Sequence, residues 1–208
     1  MTSTTVSKDG KKRCSWSDST DEYRHYHDTE WGFPVKKDIQ LFEKVCLEGF
    51  QCGLSWRTIL TKRENFRAAF LGFDFNKIAR FTQRDVSRLL KDAGIVRHRG
   101  KIEAVINNAK MAQVMIKEYG SLAAFFWQFE PSKKELAKAQ TLTTSDQSIA
   151  LSKALKKHGW KFVGPTTMFA LMQAMGIIND HVKGCITYTK VEQSRKKFKR
   201  PKSLLTRQ

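Results

Sequence analysis

Cysteine and histidine residues stand close together near both ends of the chain. The stretch NDHVKGC places His181 and Cys185 four positions apart, and the stretch CSWSDSTDEYRHYH near the start holds Cys14, His25 and His27. Thiolate and imidazole are the ligands that zinc takes in tetrahedral structural sites. The spacing is compatible with a closed Cys2His2 site in which either His25 or His27 is a ligand. Ordinary buried thiols and a core histidine are the alternative.

Such a site would tie the N-terminal segment to the C-terminal segment across the whole fold. Metal binding of this kind contributes to folding free energy, and such a site would hold one structural Zn2+ per chain. A hydrolytic zinc centre is disfavoured, since four protein ligands leave no position for a water molecule. The two other cysteines, Cys46 and Cys52, lie in an apolar helical stretch and are interpreted as small buried residues.

A single carboxylate interrupts an apolar stripe on the helix predicted to begin near Asp38. At helical spacing, one face of this helix carries Leu41, Val45, Glu48 and Cys52. Burying an ionised carboxylate is costly, so Glu48 needs hydrogen bonds or an opposite charge nearby. Two interpretations stay open: Glu48 caps a loop or pairs with one arginine, or it is an acceptor at the bottom of a ligand pocket.

Aromatic residues accompany this carboxylate. Trp56 follows two glycines in LEGFQCGLSW and offers a flat apolar face to a ligand. Such side chains belong to a core more often than to a pocket, but their combination with Glu48 is unusual. The further aromatic residues cluster around the candidate metal ligands near the N-terminus and are Trp16, Tyr23, Tyr26 and Trp31.

The segment HGWKFVGPTTMF predicts the end of one helix, a tight turn and the start of the next. Its FVG turn resembles the hairpin of helix-hairpin-helix DNA-binding elements, where backbone N–H groups at a helix N-terminus face a phosphate. Most such turns only connect two helices, so the turn is weak evidence by itself. The candidate DNA-binding residues of the hairpin are Gly159, Lys161, Val163, Gly164 and Thr166.

Helical periodicity extends over nearly the whole chain, and no alternating stretch of convincing length indicates a β-strand. Asp38 is expected to cap one helix, and Pro165 suits the first turn of another. Thr82 and Asp85 have the spacing of a capping box. We therefore predict an all-α fold. The chain of 208 residues is long enough for one substantial core.

The chain is strongly basic, with a formal net charge of +18 at pH 7. Residues 1–13 contribute +3 and residues 190–207 contribute +7, which leaves +8 for the body. This excess favours a partner with a phosphate backbone over a surface that is merely well solvated. Apolar runs are too short for a membrane span and the N-terminus lacks the apolar region of a signal peptide, so we expect a cytoplasmic protein without a membrane partner.

Six motifs follow one another between about Cys14 and Tyr188. They are YHDTEWGFP, FEKVCLEGFQCGLSW, KRENFRAAF, DAGIVRHRGKIEAVINNA, LSKALKKHGWKFVGPTTMF and NDHVKGC. In order and spacing they resemble the DNA-3-methyladenine glycosylase I (Tag) family. The resemblance implies a helix-hairpin-helix glycosylase-like helical bundle with a structural zinc site that joins its ends. We assign residues 14–188 to the glycosylase domain, 1–13 to a basic flexible extension and 189–208 to a basic disordered tail.

For the site, the resemblance implies His27 rather than His25 as a ligand, beside Cys14, His181 and Cys185. It implies Glu48 as the catalytic, base-contacting glutamate. Trp56 matches the base-stacking tryptophan of the family and Tyr26 its pocket tyrosine. Three further residues match pocket positions, and these are Trp16, Tyr23 and Trp31. The sequence departs from the family pattern at Phe50 and Cys52, where more polar or smaller residues are expected.

For function, the resemblance implies a monofunctional glycosylase that acts as a monomer on alkylated double-stranded DNA. It would flip out 3-methyladenine and hydrolyse its glycosidic bond, leaving an abasic site. No water-activating aspartate is implied, and Asp180, beside a zinc ligand, is not assigned that role.

One alternative is a zinc-stabilised DNA-binding module without catalysis, which leaves the carboxylate beside Trp56 unexplained. Another is a glycosylase/lyase with a lysine nucleophile.

Overall fold

Eleven α-helices follow a short β-hairpin in residues 3–207, the part of the chain that a computed structural model describes. This part of the chain is thus mostly helical, and its two short strands are the departure from the predicted all-α fold. None of the helices in this part combines the length and the apolar character needed to cross a lipid bilayer. The strands and helices are β1 (Thr4–Val6), β2 (Lys12–Cys14), α1 (Asp21–Thr29), α2 (Asp38–Gln51), α3 (Trp56–Thr61), α4 (Arg63–Ala69), α5 (Phe75–Ile78), α6 (Gln83–Lys91), α7 (Arg99–Tyr119), α8 (Leu122–Phe126), α9 (Asp146–Lys157), α10 (Pro165–Ala174) and α11 (Tyr188–Lys197).

Helix α2 lies at the centre of the fold, where it packs against α3, α7, α8 and α10. Its apolar residues other than Ile39 are buried, and its last turn carries Phe50 into a cluster of phenylalanines. The ring of Phe50 lies 4.6 Å from that of Phe66 and 5.9 Å from that of Phe70, measured between centroids. Each such buried ring contributes about 2–3 kcal/mol. This packing fixes the helix that carries Glu48.

Local capping signals define several helix ends. The capping box predicted from Thr82 and Asp85 is present at the start of α6, and Pro165 opens α10 as predicted. Asp38 differs from the prediction, because it is the first residue of α2 rather than its cap. Its carboxylate instead accepts a hydrogen bond from the backbone N–H of Ala123 (3.1 Å) and so joins α2 to α8.

Residues 4–14 form an antiparallel hairpin, which corrects the prediction of a flexible N-terminal extension. Arg13 is buried, and its guanidinium binds the carboxylates of Asp9 and Asp28, each at 2.8 Å. The sequence showed only an excess of positive charge, whereas Asp28 on α1 comes close only in the folded chain. The hairpin holds Cys14, the last residue of β2, against α1. Residues 1 and 2 of the predicted extension lie outside the described residues.

The C-terminal segment 189–208 is largely helical where it is described, which corrects the prediction of a disordered tail. Arg195 is nearly buried, and its guanidinium binds the carboxylate of Glu130 at 2.7 Å. The ring of Phe198 packs against Trp127 with 4.4 Å between centroids. The net charge of the segment says nothing about these contacts, because Glu130 and Trp127 lie far away in the sequence. Residue 208 lies outside the described residues, and the domain boundaries themselves stay a prediction.

Candidate active site and metal centre

Four buried side chains meet where the two ends of the chain come together. Cys14 ends β2, His27 lies in the last turn of α1, and His181 and Cys185 lie in the loop between α10 and α11. One ligand atom from each lies within 4.8 Å of the others. Sulfur and nitrogen atoms are 3.4 Å apart for Cys185 and His27 and 3.7 Å apart for Cys14 and His181. Tetrahedral zinc ligands stand about 3.5 Å from one another.

Each imidazole of this metal cluster has an acceptor behind it. Nδ1 of His27 lies 2.8 Å from the carboxylate of Asp28, and Nε2 of His181 lies 3.0 Å from the carbonyl oxygen of Trp31. A proton on each of these nitrogens leaves the other nitrogen of each ring as a free ligand facing the cluster. The pKa of the Cys185 thiol is held below its usual range by Cys14 and by the two histidines.

The two histidines that the spacing left in competition have different environments. His27 is fully buried in the cluster, whereas His25 lies two residues earlier on α1 and is exposed. The structure therefore brings together the four residues that the resemblance implies. Whether they hold zinc stays a prediction at this point.

Asp180, beside the cluster, has a structural role. Its carboxylate accepts hydrogen bonds from the backbone N–H of Gln140 (2.9 Å) and from the side chain of Gln173 (2.6 Å). Burial raises the pKa of this carboxyl group. Asp180 fixes the loop that carries Gln140, and it does not line the aromatic cavity.

A cavity of about 230 Å³ lies close to the metal cluster. The six residues predicted for the pocket all line it, and Gln140 and Gln173 are additional polar residues that sequence inspection missed. Loop and helix residues far apart in the chain form its wall, so no local pattern could reveal them. The lining residues are Trp16, Tyr23, Tyr26, Trp31, Glu48, Gln51, Trp56, Gln140, Ala170 and Gln173.

The turn between α2 and α3 brings Trp56 back towards Glu48. Gly53 adopts a positive φ of +81°, which a residue with a side chain rarely does. Ser55 then caps α3, because its hydroxyl accepts a hydrogen bond from the backbone N–H of Thr58 at 3.1 Å. Trp56 is the first residue of α3, and Glu48 lies in the last turns of α2 with only 4% of its surface exposed.

The rings of the cavity meet mostly edge to face. Trp16 lies 5.0 Å from both Tyr23 and Trp31, and Tyr26 lies 5.6 Å from Trp56, measured between centroids. Burial raises the pKa of both tyrosines, so their hydroxyls stay protonated and polar. Nε1 of Trp56 is buried and finds no acceptor among the described residues. The cavity thus combines flat apolar surfaces with the polar side chains of tyrosines, glutamines and Glu48.

Lys44 is the charged residue of this region that sequence inspection missed. Its ammonium binds the carboxylate of Glu48 (2.9 Å), donates a hydrogen bond to the hydroxyl of Tyr26 (2.8 Å) and lies 3.2 Å from the ring centroid of Trp56. Burial lowers the pKa of Lys44 to about 8, although Glu48 partly offsets the effect. The available signal was its position four residues before Glu48 on the same helix.

The two departures from the family pattern lie outside the cavity. Phe50 is buried in the phenylalanine cluster. Cys52 follows the end of α2 and is exposed, which corrects its interpretation as a buried residue, whereas Cys46 is buried as predicted. Neither departure changes the lining of the cavity.

The turn between α9 and α10 is held rigidly from behind. The side-chain amide of Asn108 accepts from the backbone N–H of Lys161 (2.8 Å) and donates to its carbonyl oxygen (3.0 Å). Val163 is buried, and its carbonyl oxygen accepts a hydrogen bond from Ser152 at 2.6 Å. Gly159 has a positive φ of +79°, which the turn requires.

Gly164 needs a different explanation. Its φ of −63° suits any residue, and a Cβ atom there would meet nothing closer than 3.9 Å. Gly164 precedes α10, which has no side-chain cap, and Thr166 in the first turn is exposed. Neither backbone conformation nor internal packing demands a glycine here, and a glycine places no side chain beside the N-terminus of α10.

The chain is similar in sequence and in structure to proteins of one known family. A family model described as methyladenine glycosylase matches residues 16–188. The chain is 49% identical over 181 residues to DNA-3-methyladenine glycosylase 1 of Escherichia coli (strain K12), covering 85% of this chain and 97% of the relative. It is 44% identical over 177 residues to DNA-3-methyladenine glycosylase of Haemophilus influenzae, covering 83% and 96%. Its structure is similar, with a TM-score of 0.80 and 37% identity, to the 3-methyladenine DNA glycosylase I of Staphylococcus aureus, studied for its recognition of 3-methyladenine; the match covers 85% of this chain and 96% of that one.

Proposed function

Because the chain belongs to the methyladenine glycosylase family, we propose that it excises 3-methyladenine from alkylated double-stranded DNA. The reaction is hydrolysis of the N-glycosidic bond, which leaves an abasic site in an unbroken strand. The observation that carries this proposal is the carboxylate of Glu48, buried in a cavity whose other walls are largely aromatic rings.

The damaged base has to leave the duplex before it can enter this cavity. Flipping a base out of the stack costs a few kcal/mol, and the cost is lowest for a damaged or poorly paired base. The cavity of about 230 Å³ offers flat apolar surfaces that replace the stacking lost in the duplex. Recognition of the lesion therefore follows extrusion.

Charge distinguishes 3-methyladenine from adenine. Methylation at N3 gives the base a positive charge while it is attached to deoxyribose. Glu48 can accept hydrogen bonds from the exocyclic amine, and the face of Trp56 attracts an electron-poor ring. Tyr26 adds a polar contact at the wall of the same cavity. A normal adenine has the same ring system and exocyclic amine but lacks the methyl group and the charge.

The same positive charge makes the base a good leaving group. When the bond between N9 and C1′ breaks, its electron pair moves to the base, which departs as a neutral molecule. A water molecule forms the new bond to C1′ and releases a proton to solvent. The protein thus needs to bind and orient the lesion more than to protonate it. We assign no residue as the group that activates water.

The hairpin between α9 and α10 would bind the DNA backbone. Its rigid support, the uncapped N-terminus of α10 and the exposed side chain of Lys161 support this role. A phosphate near Gly164 could accept hydrogen bonds from backbone N–H groups at the positive end of the helix.

Replacing Lys161 with alanine tests the hairpin. The backbone hydrogen bonds to Asn108 do not need the lysine side chain, so we expect unchanged folding. Binding to undamaged duplex DNA should weaken, and the slope of log affinity against log salt should fall by about one. Lys110, exposed on α7, provides the matched Lys→Ala control. An equal loss in both variants would contradict a specific role for the hairpin.

We also propose that the metal cluster holds one structural Zn2+. Two sulfurs, two imidazole nitrogens with acceptors behind them and complete burial suit this ion. Four protein ligands complete its coordination, so the metal would stabilise the fold. It would join β2 and α1 to the loop before α11.

Chromatography of bases released from methylated duplex DNA tests the main proposal. We expect free 3-methyladenine in the soluble fraction, with strands that break only after alkali treatment. DNA binding without release of any base would instead favour a DNA-binding module without catalysis. Strand cleavage with a covalent product trapped by borohydride would favour a lyase.

A further inference from the structure

Lys44 and Glu48 form part of the wall between two cavities. Glu48 lines the cavity of about 230 Å³, and Lys44 lines a second cavity of about 200 Å³ on the other side. Tyr26 and Trp56 line both. The ammonium of Lys44 therefore contacts, from behind, the three side chains that the proposed function uses to bind the base.

Each of these contacts engages a feature that would attract a cationic base. The ammonium lies 2.9 Å from the Glu48 carboxylate, which it neutralises. It also lies 3.2 Å from the centroid of the Trp56 ring and forms a cation–π contact there, so the ring attracts a second cation less strongly. In addition, it donates to the Tyr26 hydroxyl at 2.8 Å, which directs the hydroxyl hydrogen away from Lys44. An internal cation thus competes with the positive charge of the lesion.

Resting on the proposed function, we infer that Lys44 is a specificity-determining residue of this pocket. Lys44 neutralises Glu48 and forms a cation–π contact with the ring of Trp56. Both effects reduce the preference for a positively charged base over a neutral base of the same shape. Lys44 acts through its neighbours and is a positioning residue rather than a catalytic one. With an uncharged side chain at position 44, the pocket would discriminate more strongly against a neutral purine of the same shape as the lesion.

A purely structural lysine would behave differently. The carboxylate and the Tyr26 hydroxyl already occupy two of its donors, so removing Lys44 could loosen the wall of the cavity. Loosening would weaken cationic and neutral ligands alike. Only an electrostatic role changes the ratio of the two affinities.

A pair of ligands with one shape and two charges measures that ratio. The permanently cationic 3,9-dimethyladeninium carries the methyl group on a ring nitrogen, and its neutral 3-deaza counterpart carries it on carbon. Calorimetric affinities for both ligands give the ratio for each protein. In Lys44→Met, whose side chain has similar length, the preference for the cation should rise by roughly tenfold. An unchanged ratio would overturn the inference.

Lys101 provides the matched control, because it is another buried lysine. Its ammonium donates to the backbone carbonyl oxygens of Phe50 (2.9 Å) and Cys52 (2.5 Å), outside the cavity. Lys101→Met should destabilise the fold without changing the ratio of affinities. A similar rise in both variants would show that the loss of any buried ammonium in this part of the fold changes the ratio, and would overturn a specific role for Lys44.

A pH series on the unaltered protein needs no variant and decides the question if Lys44→Met does not fold. The charged or titratable groups that face Lys44 are Glu48 on α2, Tyr26 and Glu30 on α1, and Arg63 on α4. Because burial lowers the pKa of Lys44 to about 8, its ammonium loses its proton between about pH 7 and about pH 9. The buried tyrosine stays protonated there, since its pKa is raised.

We therefore expect the preference for 3,9-dimethyladeninium to increase several-fold over this range. A preference that stays constant or falls would overturn the inference. Release of 3-methyladenine from methylated DNA is measured on the same preparation. If the base is released but neither the variant nor pH changes the ratio, the role of Lys44 fails while the proposed function stands. If no base is released, the proposed function fails, and the inference fails with it.

Discussion

Neighbouring residues of α1 enter two different buried polar regions. His27 belongs to the metal cluster, and Tyr26 lines the aromatic cavity. In the metal cluster, both imidazoles have an outer acceptor and the four ligand atoms face one another within 4.8 Å. In the cavity, Glu48 has a single cationic partner, and Nε1 of Trp56 has no acceptor among the described residues.

The difference teaches how burial relates to role. Ligand atoms that face one another have no capacity left for a substrate once a metal ion is bound between them, so such a cluster would stabilise the fold. Polar groups that are buried beside an empty space keep unused capacity, which a ligand can fill. By this criterion we expect the metal cluster to stabilise the fold and the cavity to bind the base, although α1 contributes to both.

Breaking the metal cluster should produce the largest effect. Cys185→Ala removes a sulfur within 3.6 Å of both imidazoles. We expect loss of bound zinc and a fall of roughly 3–5 kcal/mol in the free energy of unfolding. Metal analysis and thermal unfolding measure the two quantities. Cys52→Ala, at an exposed cysteine outside the cluster, should keep both values. Full stability of Cys185→Ala without zinc would remove the structural role of the cluster.

Glu48→Gln tests the cavity with a smaller but specific effect. The amide keeps the shape of the side chain and loses the charge that attracts the lesion. Excision should fall roughly 10- to 100-fold, while zinc content stays unchanged because Glu48 is not a metal ligand. Single-turnover release of 3-methyladenine measures the effect. Glu103→Gln, at an exposed carboxylate on α7, is the control. Equal excision by the two variants would exclude Glu48 from the mechanism.

Tyr26→Phe should have the smallest effect. It tests whether the cavity and the metal cluster, to which α1 contributes neighbouring residues, are independent. The change removes one acceptor of the buried Lys44 ammonium, which costs about 1 kcal/mol of stability. Excision should fall less than about tenfold, and zinc should stay bound through the adjacent His27. Tyr119→Phe removes a hydroxyl that lies 3.1 Å from His158 and should affect stability alone. Loss of zinc in Tyr26→Phe would show that the two regions are not independent.

Features that depend on local spacing could be predicted from the sequence. The capping box of α6 and the proline at the start of α10 depend on residues within one helical turn. The apolar stripe of α2 likewise indicated that Glu48 is buried, because one face of a helix follows from its period. The choice between His25 and His27 depended on the resemblance to a family, since spacing alone allowed both.

Features that depend on distant partners could not be predicted in this way. From the sequence, Arg13 is expected to be a mobile surface charge, whereas the fold places Asp28 beside it. Arg195 was assigned to a disordered tail because its partner Glu130 lies 65 positions earlier. Lys44 had the ordinary pattern of a solvated lysine, although the fold buries its ammonium.

By itself, the sequence determined the helical character of the chain, many of its helix ends and the residue types available for a metal cluster and a pocket. Helical periodicity and capping act over a few residues, so a linear pattern contains them. Tertiary structure alone decided which charges are neutralised, that the described parts of both terminal segments pack against the rest of the fold and that a lysine lies behind the proposed base-binding site. These outcomes depend on distances between residues far apart in the chain, because burial and electrostatic pairing are set by three-dimensional packing.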